Sequence, residues 1–208
     1  MPPAPERSPL RVLLIAPSLD IVGGQSVQAA QLLPALAQDP SLAMGFQPIN
    51  PRLPGLLHGL QRMKWVRTVI TRLLYGAQLL WRAPRYELLH VFSAGKTSYS
   101  LNTLPALLIS WLYGKRLLIH YHDGRVEEHL RRGRTARPTL RRAAAVVSPS
   151  EYVAQILGAH GIAARVSHFL WDRRALDLTG QAFVIVAAVI CCLALLKQGE
   201  PRAWLEWI

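Results

Sequence analysis

The chain has 208 residues, 51% of them hydrophobic, and a formal net charge of +12 at pH 7. This length allows one large domain or one and a half, and the positive charge favours anionic partners such as nucleic acid, acidic lipid headgroups or phosphorylated substrates. The two cysteines, Cys191 and Cys192, are adjacent, which excludes a disulfide framework and a cysteine-based zinc site.

The N-terminal part of the chain predicts a strand, a glycine loop and a helix. Residues 1–9 are expected to form a disordered leader, and residues 1–6 have neither the basic flank nor the apolar core of a signal peptide. Residues 11–16 are an apolar run typical of a strand buried on both faces. Gly23 and Gly24 follow, and we expect them to let the chain turn sharply and approach a ligand closely. A helical pattern of apolar residues begins after Gln25.

This strand–loop–helix unit predicts a phosphate site. The N–H groups of the first helical turn and the positive end of the helix dipole point at one place, where an α/β protein binds phosphate. The motif is neither the dinucleotide-binding G-x-G-x-x-G pattern nor a P-loop. A glycine turn without a ligand is therefore the alternative.

The second predicted helix is basic and amphipathic. It follows a predicted strand at residues 44–49 and lies in a window, Pro40 to Tyr86, that contains no acidic residue. Apolar residues from Val66 to Trp81 share one face, and basic and polar residues share the other. Such a helix suits an anionic membrane surface, and the residues expected at the lipid are Lys64, Trp65, Arg67, Arg72, Trp81 and Arg82. The alternative is a helix packed on the core by its apolar face, with its basic face in solvent.

The rest of the chain continues the alternation of strands and helices. Strands are predicted at residues 86–92, 117–122 and 145–147, with one helix after the first of them and another after a capping-box pattern at Ser148–Glu151. Seven arginines between residues 125 and 142 predict a mobile basic loop that leads into a short helix. The alternation predicts an α/β fold with a doubly wound, mostly parallel sheet.

Ligands bind such sheets outside the carboxyl ends of the strands. We therefore expect Gly23–Gly24, His122–Gly124 and Ser150–Glu151 to line one edge. His122 can donate a hydrogen bond or transfer a proton near neutral pH, or it can be a structural histidine. His120, His122 and Asp123 can also be read as metal ligands, although only one further ligand accompanies the two histidines.

Four segments together resemble the N-terminal domain of a retaining, family 4 type GT-B glycosyltransferase. They are RVLLIAPSLDIVGGQSVQAAQLLPAL, YELLHVFS, GKRLLIHYHDG and RRAAAVVSPSEYVAQILGAHGIAARV, in the order and at the approximate spacing of that family. The resemblance covers residues 11–166 and implies a Rossmann-like GT-B N-terminal domain over residues 10–166. It also implies a nucleotide-diphosphate sugar as donor, bound between two Rossmann-like halves, with no metal or other cofactor.

The resemblance also implies roles for individual residues. His122 matches a histidine that lines the cleft near the transferred sugar, so it is the expected catalytic residue. His90 matches a strand-end histidine that is more often structural. The substrate-binding residues implied by the glycine loop, the strand-end turn and the Ser-Glu pair of the last helix are Gly23, Gly24, Gln25, Asp123, Gly124, Ser150 and Glu151.

The C-terminal part departs from the family. The family's donor-binding second half has no counterpart, and residues 167–208 match nothing in it. We therefore expect a truncated or frame-shifted product, or one half of a split enzyme, that is inactive alone. Residues 178–196 form an apolar segment that reads as a membrane anchor, as a helix packed on the domain or as an unselected tail.

The expected function is transfer of a sugar to a lipid-linked or envelope saccharide. The protein is expected to be cytoplasmic and held peripherally at the inner face of the plasma membrane. A non-catalytic, membrane-associated module that docks a separate donor-binding partner is the alternative. A specific nucleic-acid partner is not expected, because the sequence contains no helix-turn-helix, zinc or aromatic-interleaved pattern.

Overall fold

The computed structural model describes residues 8–21, 23–52, 64–133, 135–167 and 183–190. The chain divides into two compact units, residues 1–167 and residues 168–208. In the first unit, the described strands are β1 (Leu10–Ala16), β2 (Leu42–Pro48), β3 (Leu88–Ser93), β4 (Arg116–Tyr121), β5 (Ala145–Ser148) and β6 (Ala164–Val166). They form one sheet in the order β2-β1-β3-β4-β5-β6, and every neighbouring pair is parallel. The predicted α/β class with a Rossmann-like parallel sheet is thus confirmed.

Helices connect the strands and cover both faces of the sheet. The described helices of this unit are α1 (Gly24–Ala37), α2 (Lys64–Arg82), α3 (Lys96–Ser98), α4 (Leu104–Leu112), α5 (Val126–Arg132), α6 (Ala136–Arg142) and α7 (Glu151–Ala159). A 3₁₀ turn at Ala83–Arg85 extends α2, and a π-helical turn at Tyr99–Thr103 joins α3 to α4. The connection from β1 to β2, through α1, moves toward one edge of the sheet, whereas the later connections move toward the other edge. Because such connections are right-handed, α1 covers one face of the sheet and the later described helices cover the opposite face.

The buried side chains of the strands alternate between these two layers. In β1, Leu13 and Ile15 belong to the larger core cluster, which they share with residues of α2, α4, α5, α6 and α7. Leu14 belongs to a smaller cluster with Phe92 of β3 and Ala29 of α1. Because both faces of β1 are covered, its sequence is a continuous apolar run.

All five predicted strands are found within two residues of their predicted bounds, and the sheet has a sixth. β6 pairs with β5 from Val146↔Ala164 to Ser148↔Val166. It has only three residues, with the exposed Arg165 in the middle. A strand this short carries neither an alternating nor a continuous apolar pattern, so the sequence does not reveal it.

The basic segment between β4 and β5 folds differently from the prediction. Instead of a mobile loop before one short helix, it forms two short helices, α5 and α6, on either side of Gly133. Val126 and Leu130 of α5 and Ala136 and Leu140 of α6 are almost fully buried. The described arginines of these helices are exposed, so the apolar residues anchor each helix while the positive charge faces solvent.

Helix α2 packs on the protein with the face opposite to the one that the core-packed alternative requires. Tyr75 and Leu79 are fully buried, whereas Leu73 and Trp81, two members of the predicted apolar face, are 69% and 71% exposed. Arg82, predicted to face outward, donates from Nη1 to Phe46 O at 2.8 Å and to Gln47 Oε1 at 3.0 Å. The alternative of a helix packed on the core by its apolar face is therefore wrong, and whether α2 contacts a membrane stays a prediction.

The reason for this inversion is a set of polar partners that the periodic pattern does not contain. Gln78 Oε1 accepts a hydrogen bond from Gln47 Nε2 at 2.8 Å, and Arg72 Nη1 donates to Asn102 Oδ1 and to Ile49 O. Because buried carbonyl and amide oxygens need donors, these partners draw the polar face of α2 inward. Arg67 is exposed, as predicted, and the side chains of Lys64 and Trp65 lie outside the described part of the chain.

Residues 183–190 are the described part of the second unit. They are helical, and their side chains are exposed. The rest of the apolar segment 178–196, and residues 1–7 of the predicted leader, lie outside the described residues. None of the helices that the structure describes combines the length and the hydropathy that crossing a bilayer requires.

Candidate functional site

The loops that follow the strands meet at the carboxyl edge of the sheet. Because the strands are parallel, the chain leaves β1, β4 and β5 at this same edge. Gly23–Gly24, His122–Gly124 and Ser150–Glu151 lie in these loops or begin the helices that follow them. The structure thus brings the predicted site residues to one edge, where parallel sheets bind ligands. Their roles in binding stay predictions.

Gly23 and Gly24 form the open beginning of α1. Gly23 is the N-cap residue, with an extended backbone (φ −175°, ψ 152°), and it has no side chain that could accept a hydrogen bond from the first turn. Gly24 is exposed, and no atom lies within 4 Å of the position that a Cβ would occupy there. Gln25, the next helical residue, is half-buried. The first-turn N–H groups are therefore accessible to an anion.

The chain bends at Gly23, but neither of the two glycines has a positive φ. Among the described residues, the glycines with a positive φ are Gly114 and Gly161, and an extended φ such as that of Gly23 is open to any residue. The bend itself therefore does not require a glycine at this position. What glycine provides at Gly24 is open space beside the backbone of the first helical turn, since no atom lies within 4 Å of the position of a Cβ there.

Three histidines form a row on the face of the sheet that α1 covers. The ring centroids of His90 and His120 are 5.7 Å apart, and those of His120 and His122 are 4.3 Å apart. Phe92 lies among them, with its centroid 5.2 Å from that of His122. Successive residues alternate between the two faces of a strand, which is why His120 and His122 share a face, as predicted. His122 follows the end of β4, so it is the member of the row nearest the carboxyl edge.

Burial keeps these imidazoles uncharged at neutral pH. It lowers the pKa of His90 to about 4 and the pKa of His122 to about 4. It lowers the pKa of His120 to about 2, with further contributions from the charges that His122 and His90 would carry. Proton transfer by His122 near neutral pH, one of its two predicted chemical roles, is therefore disfavoured. Hydrogen bonding by the neutral ring remains, since its Nε2 is buried without a partner among the described residues.

Asp123 and Gly95 contact each other at the edge. Asp123 Oδ1 accepts a hydrogen bond from the backbone N–H of Arg125 at 3.0 Å, and Oδ2 lies 4.0 Å from His129 Nδ1. A Cβ on Gly95 would overlap the Asp123 carboxylate, so a glycine is required there. The sequence analysis did not identify Gly95 as a site residue. The only sequence feature that could have identified Gly95 is its position shortly after the end of β3.

Ser150 is the N-cap residue of α7. Its Oγ accepts a hydrogen bond from the N–H of Val153 at 3.4 Å, and Glu151 is the exposed first residue of the helix. The predicted capping box would place Ser148 at the cap, but Ser148 Oγ donates to Ser150 O at 2.7 Å instead. The cap therefore lies two residues later than the box pattern indicates, and Glu151 is in the first turn of α7.

The possible metal site at His120, His122 and Asp123 finds no geometric support. Within the described ranges, no group of three or more His, Cys, Asp or Glu side chains is arranged to hold a metal ion. The two imidazoles lie against each other, whereas the Asp123 carboxylate lies against Gly95 and near His129.

Comparison with known proteins gives one family. The model of the family described as glycosyl transferase 4-like domain matches residues 16–169, well over half of the chain. The matched range contains every loop at the carboxyl edge, from the end of β1 to the residues that follow β6. No curated protein matches the chain.

Proposed function

Since the chain belongs to the glycosyl transferase 4-like domain family, we propose that it takes part in sugar transfer from a nucleotide-diphosphate sugar. Members of this family use a sugar donor and an acceptor as substrates. In the proposal, the diphosphate of the donor lies against the N–H groups at Gly23 and Gly24. The acceptor is a lipid-linked or envelope saccharide, and transfer retains the anomeric configuration.

The observation that carries this proposal is the open beginning of α1 beside the row of histidines. An N-cap without a side chain leaves the first-turn N–H groups and the positive end of the helix dipole available to an anion. The ring of His122 lies on the face of the sheet that α1 covers, and both reach the carboxyl edge. Fixed N–H groups stabilise the negative charge that develops on a leaving diphosphate, because they need no reorganisation during the reaction.

The neutral ring of His122 is proposed to contact the transferred sugar or the acceptor hydroxyl. A neutral imidazole donates one hydrogen bond and accepts another, which suits a hydroxyl group. Gln25, Gly124 and Ser150 complete the proposed substrate edge, and the exposed carboxylate of Glu151 can accept hydrogen bonds from sugar hydroxyls.

The proposal includes a second, donor-binding Rossmann-like half. All described strands of the matched range belong to one sheet, which corresponds to one Rossmann-like half. The resemblance places the donor between two Rossmann-like halves. We propose that another protein or another segment supplies that half. The alternative is a non-catalytic module that docks a donor-binding partner. In that case the chain would still bind the partner, but the rate of sugar transfer would not depend on His122.

We expect the purified 208-residue chain to show little or no transfer alone, and to support transfer when a donor-binding half of a family 4 enzyme is added. In the mixture, His122→Ala should lower the rate by about a hundredfold, because a hydrogen bond to the reacting group is lost. Gly24→Val should lower it similarly by covering the N–H groups. The measurement is release of nucleoside diphosphate from a panel of nucleotide sugars.

The matched control is Gly76→Val, since a Cβ at Gly76 also meets nothing within 4 Å and the residue lies in α2. It should leave the rate of the mixture unchanged. Robust turnover by the chain alone would contradict the need for a second half. A full rate with Gly24→Val would contradict the proposed position of the diphosphate.

We also propose that the protein binds an anionic membrane, through a surface different from the predicted basic stripe. The outward faces of α2 and α4 carry two tryptophans, Trp81 and Trp111, which are 71% and 83% exposed. The ends of these helices are close, since Lys115 Nζ donates to Pro84 O at 3.0 Å. The exposed apolar side chains on the two helices are Val69, Leu73, Leu80, Trp81, Leu108, Trp111 and Leu112, and we call them the tryptophan surface.

Charge favours a membrane as the occupant of the tryptophan surface. Neither α2 nor α4 contains an acidic residue. Arg85 lies over the ring of Trp81, 4.1 Å from its centroid, and Lys115 and Arg116 follow Trp111. Tryptophans with flanking basic residues favour the interfacial region of anionic bilayers. Attachment there would hold the protein peripherally at the cytoplasmic face of the plasma membrane.

The double variant Trp81→Ser/Trp111→Ser is expected to lower binding to vesicles of phosphatidylglycerol and phosphatidylcholine by at least about tenfold, because two interfacial aromatic side chains are lost. Co-sedimentation measures the bound fraction. The control variant Tyr152→Ser changes an exposed aromatic residue of α7 and should bind as the unaltered chain does. Equal binding of the double variant, or equal binding to pure phosphatidylcholine, would contradict this attachment.

A further inference from the structure

A basic pocket lies at the carboxyl edge, beside the loop that leaves β1. Its volume is about 360 Å³, and its polar lining consists of Asn50, Arg52, Arg67, Thr68, Thr71 and Arg72. The first two belong to the loop after β2, and the other four to the N-terminal half of α2. Asn50 Oδ1 accepts a hydrogen bond from the N–H of Ser18 at 2.9 Å, which ties this wall of the pocket to the loop that leads to Gly23.

The pocket carries positive charge that its own lining does not neutralise. Three arginines line it, and no carboxylate does among the residues that the structure describes. Arg52 pairs with Asp20, which lies outside the lining, but the hydrogen-bond partners of Arg72 among the described residues are the neutral oxygens Ile49 O and Asn102 Oδ1. Burial lowers the pKa of Arg72, yet a guanidinium stays protonated in proteins. Arg72 is therefore a cation held beside a cavity, and no carboxylate in the described part of the chain pairs with it.

The position of Arg72 is fixed by residues of the π-helical turn. Asn102 lies in that turn, and its Nδ2 donates to Ser98 Oγ at 3.0 Å. Its backbone carbonyl accepts a hydrogen bond from the buried hydroxyl of Tyr75 at 2.9 Å. Hydrogen bonds to Ser98 and Tyr75 thus fix the position of Asn102, whose side-chain oxygen accepts the hydrogen bond from Arg72. Such support gives a pocket whose charge is already in place before a ligand arrives.

We propose that this pocket binds a phosphate group carried by the acceptor, an inference that rests on the function proposed above and specifies its acceptor. Guanidinium groups and hydroxyls are the side-chain donors that suit phosphate oxygens. Arg67, Thr71 and Arg72 supply both kinds on one face of α2. The volume suits a phosphate with an attached sugar ring or glycerol. The acceptor class is therefore a phosphorylated saccharide or a lipid-linked phosphate.

The test is calorimetric titration of the full 208-residue chain, without a donor. Glucose 6-phosphate represents a saccharide phosphate, glycerol 3-phosphate represents a phospholipid headgroup, and glucose is the uncharged control. We expect at least one of the two phosphates to bind more than about tenfold more tightly than glucose, because charged hydrogen bonds are lost without the phosphate. The phosphate that binds more tightly identifies the source of the group.

Two variants locate the binding. Arg67→Met/Thr71→Val should weaken binding of that phosphate by at least about tenfold, and Arg72→Met should do the same. The double variant leaves the bonds between Arg72 and Asn102 in place, so it keeps the test valid if Arg72→Met fails to fold. The matched control is Arg137→Met, which removes an exposed arginine on α6 and should leave the dissociation constant unchanged.

Equal affinity for glucose and both phosphates, or unchanged affinity in Arg67→Met/Thr71→Val, would overturn the assignment of the pocket. Because the titration needs neither donor nor turnover, its result is separate from the test of sugar transfer. Phosphate binding that depends on Arg67, together with no transfer from any nucleotide sugar, would contradict the proposed function while the phosphate site itself stands.

Discussion

Between about pH 6.5 and pH 4, the free energy of unfolding is expected to fall by up to about 4 kcal/mol for each pH unit, because His90, His120 and His122 are buried uncharged. Burial lowers the pKa of each of them to about 4 or below. As the pH falls through 6.5, the unfolded histidines bind protons and the folded ones do not. Protonation therefore favours the unfolded chain, and the stability present above pH 6.5 is lost across this window.

Urea unfolding followed by circular dichroism at several pH values measures this slope. His120→Leu should reduce it by about one third, since one of three titrating groups is removed. It should not weaken the protein at pH 7.5, because neither ring nitrogen of His120 has a hydrogen-bond partner among the described residues. Phe92→Leu is the matched control. It disturbs packing in the same row of side chains but removes no titrating group, so it should leave the slope with pH unchanged. A slope that is the same in His120→Leu and the unaltered chain would contradict the prediction.

Gly95→Ala is expected to destabilise the protein by about 2–4 kcal/mol, because its new Cβ would overlap the carboxylate of Asp123. Asp123 has a short side chain, so the overlap displaces the carboxylate and breaks its hydrogen bond to the N–H of Arg125. Thermal and urea unfolding at pH 7.5 measure the loss. Transfer in the reconstituted mixture should fall as well, because the displaced residue lies at the proposed substrate edge.

The neighbouring glycine offers a matched control for this substitution. A Cβ at Gly124 meets nothing within 4 Å, so Gly124→Ala should change the free energy of unfolding by less than about 0.5 kcal/mol. The double variant Gly95→Ala/Asp123→Ala should recover part of the stability, since truncating Asp123 removes the overlapping atoms. If the double variant is as unstable as the sum of the single ones, the overlap is not the cause.

The strands of the fold follow from the sequence because their signals are local. Residues 11–16 read as a doubly covered strand, and β1 is covered on both faces. The parallel order follows from the alternation with helices. β6 could not be predicted, because three residues with a central Arg165 have no period to detect. The orientation of α2 could not be predicted either, since it depends on acceptors in β2 and in the π-helical turn, far away in the sequence.

The candidate site shows the same division between local and distant causes. The carboxyl edge and the shared face of His120 and His122 follow from strand ends and alternation, which the sequence displays. The uncharged state of His122 depends on burial by packed neighbours, so it cannot be derived from residue type. The need for a glycine at Gly95 depends on the carboxylate of Asp123, which reaches it from the loop after the neighbouring strand β4.

The order of strand pairing also affects how the chain folds during synthesis. β1 pairs with β2 on one side and with β3 on the other, and β3 is complete only at Ser93. The most apolar strand therefore leaves the ribosome first and keeps one open edge until α2 and β3 have followed it. Parallel pairing across such distances is slow, and an open apolar edge invites aggregation. A nascent chain halted between β2 and β3 thus exposes that edge until the second neighbour of β1 is made.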